Sequence, residues 1–266
     1  MIEGSADGFR YYRTLDDAER ERLRAIVGAQ PVFRLYLESA IEAAADGDLS
    51  RSVLIGRAGA GAALAIEFDE VTVRTVAGAL DDDELTLACA VGRRAELHVP
   101  PALRAAVVAR CGAGILADQS IRYYRRPVDA GAEPDPRCRR LDAGDYEAAA
   151  ELLRTHHPAT VFSRWMLDDT LIGLFEDGAL VACGGVIARH RGLSTVVLGN
   201  FVTASERRGQ GLARAVMRSL LASLHADGIG LVTLCATAEN RSACRSYEAM
   251  GFTQFDECAE LLVGPG

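Results

Sequence analysis

Residues 201–213 read FVTASERRGQGLA, an apolar strand end that runs into a turn rich in arginine and glycine and then into a helix. Arg208, Gly211 and Ala213 stand at the spacing Arg-x-x-Gly-x-Ala, with Gly209 inside it. Small residues let a ligand approach the backbone, and the first amides of a helix lack internal acceptors, so this turn is suited to capturing an anion such as a phosphate. It is not a Walker loop, which needs a lysine: the chain contains none, and all 29 of its basic residues are arginine. Nor does it match Gly-x-Gly-x-x-Gly. The bland alternative is a glycine-softened turn with solvated arginines. About thirty residues further on, Asn240, Ala243, Tyr247 and Gly251-Phe252 form the pattern Asn-x-x-Ala-x-x-x-Tyr-x-x-x-Gly-Phe. Asn240 suits a helix cap and Gly251 a helix end. Seven residues apart, Asn240 and Tyr247 share one helix face, unless the first simply caps and the second simply packs.

These residues need a strand, a turn and a helix in register. Ala213, Val216, Met217, Leu220, Leu221 and Leu224 recur at helical spacing, which predicts an amphipathic helix running to about 226. Strands are expected at 139–141, 171–175, 180–188, 195–202, 231–236 and 252–262, and helices at 142–153 and 242–250. Residues 156–165 read as a polar-aromatic loop, and Glu176-Asp177-Gly178 as a hairpin turn. The first half predicts strands at 9–14, 51–57, 62–68, 71–76, 85–91, 95–99 and 120–125, with helices at 15–27, 33–45 and 101–111. Gly59-Ala60-Gly61 reads as a hairpin turn, because no helix follows it.

The two halves echo each other. Aligning VLIGRAGAGAALAI from Val53 with TLIGLFEDGALVAC from Thr170 matches Leu54 with Leu171, Ile55 with Ile172, Gly56 with Gly173, Gly61 with Gly178, Ala62 with Ala179 and Ala65 with Ala182. Element order around them agrees, so the chain reads as two copies of one α/β fold, of which only the second keeps the anion loop. The expected boundaries are 1–127 for the first domain, 128–137 for a linker rich in Pro, Gly, Ala and acids, and 138–266 for the second.

At 266 residues the chain is long enough for two cores. Its apolar runs fall short of the roughly 18 residues a membrane span needs, and MIEGSADGF lacks the basic and apolar regions of a signal peptide, so a soluble cytoplasmic protein is expected. A net charge of -8 argues against general nucleic-acid binding and mildly favours a cationic small substrate. The seven cysteines form no Cys-x-x-Cys pair, so reduced thiols are expected rather than disulfides or zinc; Cys235 and Cys244 have no base beside them in their motif.

Taken in order, Arg208-x-x-Gly211-x-Ala213 after one strand, then Asn240, Tyr247 and Gly251-Phe252 after another, resemble the GNAT (Gcn5-related) acyl-CoA N-acyltransferases over residues 138–263. The layout is similar to that of tandem GNAT proteins with a degenerate first copy. The resemblance implies two GNAT-like folds, each a mixed, mostly antiparallel, splayed β-sheet flanked by helices, and acetyl-CoA as acyl donor with no metal. It implies that backbone amides of Arg208, Gly209, Gln210, Gly211, Leu212 and Ala213 hold the CoA pyrophosphate. The edge at Phe201, Val202 and Thr203 would pair with the pantetheine arm, Asn240 would bond that arm, and amides near Val202 and Thr203 would polarise the thioester carbonyl. An amine would attack directly, and Tyr247 would protonate the leaving thiolate. His156, His157, Phe162 and Trp165 would line the acceptor pocket. Many relatives carry a Glu late on the strand entering the loop, where this chain has Gly199 and Asn200; a water chain, His156, His157, Glu176 or His190 would have to free the amine. A small-molecule amine is the expected acceptor of a monomer or homodimer. Another acyl thioester, a peptide or protein N-terminus as acceptor, and a non-catalytic acyl-CoA-binding regulatory module stay open as alternatives.

Overall fold

The computed structural model describes residues 10–11, 16–28, 31–45, 51–55, 61–67, 71–90, 92–158, 160–190 and 192–264. In chain order the first run comprises β1 (Arg10–Tyr11), α1 (Asp17–Val27), α2 (Pro31–Ala45), β2 (Arg51–Ile55), β3 (Gly61–Glu67), β4 (Thr72–Gly78), α3 (Asp82–Cys89), β5 (Ala95–Val99), α4 (Arg104–Cys111) and β6 (Ile115–Pro127). The second comprises β7 (Cys138–Arg140), α5 (Tyr146–His156), β8 (Leu171–Glu176), β9 (Ala179–Arg189), β10 (Thr195–Thr203), α6 (Leu212–Ala226), β11 (Leu231–Thr237), α7 (Arg241–Ala249) and β12 (Thr253–Val263). The turn read at 59–60, Gly56 and residues 12–14 of the first predicted strand lie outside the described residues.

The runs repeat one pattern. β2, β3 and β4 are successive antiparallel neighbours, and β4 then pairs in parallel with β5. β8, β9 and β10 do the same, and β10 pairs in parallel with β11. A parallel pair needs a crossover, supplied by α3 in one case and α6 in the other. Each run thus has the expected mixed, mostly antiparallel strand pattern flanked by helices.

Two compact units result, and they do not follow one cut in the chain. The first takes residues 1–122, 236–240 and 256–266, and the second 123–235 and 241–255. Residues 256–266 belong to the first because β12 pairs antiparallel with β5 from Ala259↔Val99 to Val263↔Ala95. Ala95, Leu97, Val99, Ala259, Leu261 and Val263 thereby face Leu85, Ala88 and Val107 in one core. Leu23, Leu37 and Ile41 from α1 and α2 pack with Ala62, Leu64 and Ala77 in another. In the second unit Leu152 and Leu153 of α5 pack with Leu171, Cys183 and Val202.

Local chemistry explains most of the elements. Asp16 and Glu19 close a reciprocal capping box that starts α1. Asp177 and Gly178, at φ 51° and 80°, make the two-residue turn between β8 and β9. α6 buries Leu212, Ala215, Val216, Met217, Leu220, Leu221 and Leu224 along one side.

One expected strand is a helix. Residues 85–89 belong to α3, because Asp81 and Glu84 exchange side-chain and backbone bonds of 2.8 and 2.9 Å in a capping box, and Asp82, Asp83 and Glu84 line the first turn. An apolar run such as LTLACA fits either element, and the cap decides it. The helix read at 142–153 also shifts: a short 3-10 turn occupies Ala143–Asp145, and α5 then runs on to His156, which ends the helix instead of opening the loop.

Candidate functional site

β10 and β11 lie side by side from Thr195↔Leu231 to Leu198↔Leu234, where their pairing ends. β10 continues to Thr203, held from its other side by Val202↔Cys183 and Thr203↔Ala182 of β9. The register slips between Gly199 and Val202, and Asn200 takes a left-handed conformation with φ 57°. This bulge turns the strand end away, so the edge of Phe201, Val202 and Thr203 on the β11 side carries no ladder partner among the described residues. Asn200 is itself buried. Its Oδ1 accepts from Thr160 Oγ1 at 2.7 Å, and its Nδ2 lies 3.4 Å from Met166 Sδ. Asn200 thus anchors the 160–166 segment to β10.

Past the edge, a 3-10 turn at Ser205–Arg207 leads to Gly209 and Gly211, with φ 77° and 78°. Only glycine enters this region without strain, and neither would meet a crowded Cβ, so backbone shape is the reason for both. The first helical bond of α6 runs from Ala215 N to Gly211 O at 3.0 Å, and the amides of Leu212 and Ala213 precede it with no helical acceptor. The positive end of a 15-residue helix adds to their pull on an anion.

Arginines fix this turn instead of reaching out from it. Arg208 donates through Nε to Thr203 O and through Nη2 to His156 O, each at 3.3 Å, and its amide goes to Ser205 O. Arg207 is paired with Glu176, which also holds Arg137 at 2.9 Å. Arg137 in turn binds the buried Asp135, whose own amide donates to Ser219 Oγ on α6. Glu176 is therefore occupied by two guanidiniums. His156 Nδ1 accepts the Ser205 amide at 3.3 Å and lies 3.0 Å from Ser205 Oγ, which docks the end of α5 on the turn. His190 Nδ1 accepts the Gly192 amide. His157 is exposed beyond the end of α5.

Tyr247, on α7, meets Phe201 edge-on at a centroid distance of 6.5 Å and lies 6.0 Å from Tyr124 and 5.9 Å from Phe252. The structure thus brings this phenol ring to the unpaired edge. Burial pushes its pKa up, with the nearby Cys235 and Cys244 adding to the effect, so the phenol keeps its proton. Phe201 rests on Gly184, where a Cβ would come within 2.3 Å of the ring. The Gly184-Gly185 pair inside β9 is a sequence signal of such an approach that the motif reading passed over. Asn240 stands directly before α7, in the stretch 236–240 that belongs to the first unit. Among the expected acceptor residues, Phe162 stacks on Tyr146 at 5.6 Å, while Trp165 is 47% exposed. All seven cysteines are outside disulfides; Cys244 is buried, and burial raises the Cys183 thiol to about 12. No helix among the described residues is long and apolar enough to cross a membrane.

Residues 137–252 match a family model described as the acetyltransferase (GNAT) family. No curated protein matches the sequence. Solved structures share the fold. A GCN5-related N-acetyltransferase-like protein from Streptococcus suis superposes with a TM-score of 0.64 at 15% identity, over 92% of this chain and 98% of that one. A GCN5-related N-acetyltransferase from Sphaerobacter thermophilus gives 0.60 at 14%, over 96% of each chain. A tandem GNAT protein from the clavulanic acid biosynthesis pathway gives 0.58 at 14%, over 97% of this chain and 98% of that one.

Proposed function

We propose that the chain, whose residues 137–252 match the model of the acetyltransferase (GNAT) family, is an acyl-CoA-dependent N-acyltransferase that moves acetyl from acetyl-CoA to a primary amine of a small molecule. The observation that carries this reading is the free edge of β10 beyond Leu198, running directly into the glycine turn at the start of α6. An amide-bearing arm fits such an edge as an added strand, and a pyrophosphate fits the amides from Gly209 to Ala213. Asn240 would bond the same arm.

Backbone N–H groups at Val202 and Thr203 would polarise the thioester carbonyl and hold the developing oxyanion. The neutral amine attacks the carbonyl carbon, the C–S bond breaks, the thiolate takes a proton from Tyr247 Oη, and the proton that the attacking nitrogen sheds passes to solvent, from which the phenol is restored. Glu176 and His190 are engaged elsewhere, which leaves a water chain, His156 or His157 to take the ammonium proton before attack. His156, His157, Phe162 and Trp165 remain the proposed acceptor side.

Thiol release from acetyl-CoA, measured over a panel of amino acids, amino sugars and other small amines, tests the proposal. Amine-dependent release is expected. Tight CoA binding with no release across the panel would overturn catalysis in favour of an acyl-CoA-binding module, and release only with longer acyl donors or peptide N-termini would move the substrate class.

A further inference from the structure

The first unit contains a polar cluster on the sheet face opposite the core that packs on α3 and α4. Glu96 and His98 are two residues apart on β5 and share a face, and Glu260 on β12 is the direct cross-strand partner of His98. The alternate residues of both strands, Ala95, Leu97, Val99, Ala259, Leu261 and Val263, point into the core. His98 Nε2 lies 2.8 Å from Glu96 Oε1 and 3.1 Å from Glu260 Oε2, and the three donor atoms all lie within 4.8 Å of one another.

We propose that Glu96, His98 and Glu260 form a binding site for a divalent transition-metal ion of the zinc type. Donors about 2.0–2.1 Å from such an ion stand about 2.8–3.4 Å apart along the edges of octahedral and tetrahedral shells, and the two contacts of His98, at 2.8 and 3.1 Å, fall within that range. An imidazole with two carboxylates is a donor set that first-row divalent ions accept, and it leaves positions for water. The set also carries two carboxylates against one imidazole where side-chain exposure is only 24% for Glu96, 16% for Glu260 and 10% for His98. Such a crowded anionic pair gains from a bound cation. Gln119, on β6 beside β12, donates its Nε2 to Glu260 Oε1, which leaves Oε2 turned toward His98. A hydrogen bond of that kind orients a ligating carboxylate. Glu96, the most exposed of the three, opens the route from solvent.

Isothermal titration of the full chain, purified with chelator, against zinc chloride should show one site, and zinc should raise the melting temperature. H98Q should weaken that site at least about 30-fold, and Q119A, which keeps all three ligands, about tenfold. Cobalt(II) substitution should give the visible bands of a nitrogen- and oxygen-ligated ion. Thiolate-to-cobalt charge transfer would place the ion on cysteine thiols and overturn the proposal, as would the absence of zinc uptake or uptake undiminished in H98Q. Circular dichroism and metal-free melting confirm that each variant is folded, and E260Q replaces H98Q if that chain does not fold.

Discussion

In the proposed reaction Tyr247 is the proton donor, and its surroundings suit it to that role. Three rings enclose the phenol, and burial raises its pKa, so it remains a donor throughout the range in which an amine is nucleophilic. A thiolate that ionises near 8.5 draws little from so weak an acid until the C–S bond is well broken, so the proton moves late. Tyr247→Phe keeps the ring contacts and removes the proton. It should lower kcat by about 10²-fold or more while leaving the Kd for acetyl-CoA within about threefold, read from thiol release and titration calorimetry. Unchanged turnover would remove Tyr247 from the reaction. Gly211→Ala tests the other half of the site. A φ of 78° costs an alanine about 1–2 kcal/mol, which the turn can relieve only by rotating its amides, so acetyl-CoA binding should weaken about tenfold with kcat less affected.

At the scale of elements, the site consists of a bulged strand end, a glycine turn and a helix start, and the links between them are ionic. Asp135, Arg137, Glu176 and Arg207 form a chain from the segment before β7, through the β8–β9 turn, to the 3-10 turn that precedes Gly209. Glu176→Gln removes the charge that holds both arginines. The expected result is a threefold to about tenfold rise in KM for acetyl-CoA with little change in kcat, because a partly exposed pair positions the loop without touching the thioester. An equal loss in kcat would instead make Glu176 part of the chemistry. The difference between what sequence could and could not reveal also lies at this scale. Arg208, Gly211 and Ala213 are local and periodic with α6, so strand, turn and helix are readable from spacing. The contact of His156 with Ser205 spans 49 residues and that of Thr160 with Asn200 spans 40, and no local pattern encodes either. α3 was misread because an apolar run fits both periods, although Asp81 and Glu84 already spelled a capping box.

Across the whole molecule, the repeat was legible because both copies spend the same residues on the same hairpin. The division into units was less so, since Glu260 meets His98 across 162 positions and only the pairing of β12 with β5 places residues 256–266 with the first half. The acid response of the second unit follows from its ion pairs. The Arg137 guanidinium, bonded to Asp135, together with the Arg137 amide, lowers that carboxyl from 3.8 to about 2, and Arg139 lowers Asp145 in the same direction. A carboxyl with a depressed folded-state pKa adds stability that is complete above its unfolded value and disappears as pH falls through the folded one. Asp135 should therefore contribute fully above about pH 4 and lose its contribution between about pH 4 and 2. Its size should be on the order of 1–2 kcal/mol, because Arg137 is half exposed and solvent screens the pair. Urea unfolding followed at pH 7, 4, 3 and 2 should show this loss in the native chain. Asp135→Asn should be less stable than the native chain at pH 7 and converge with it at pH 2. A constant difference between the two at every pH would show that the carboxyl's charge has no part in holding residues 135–137 against α6.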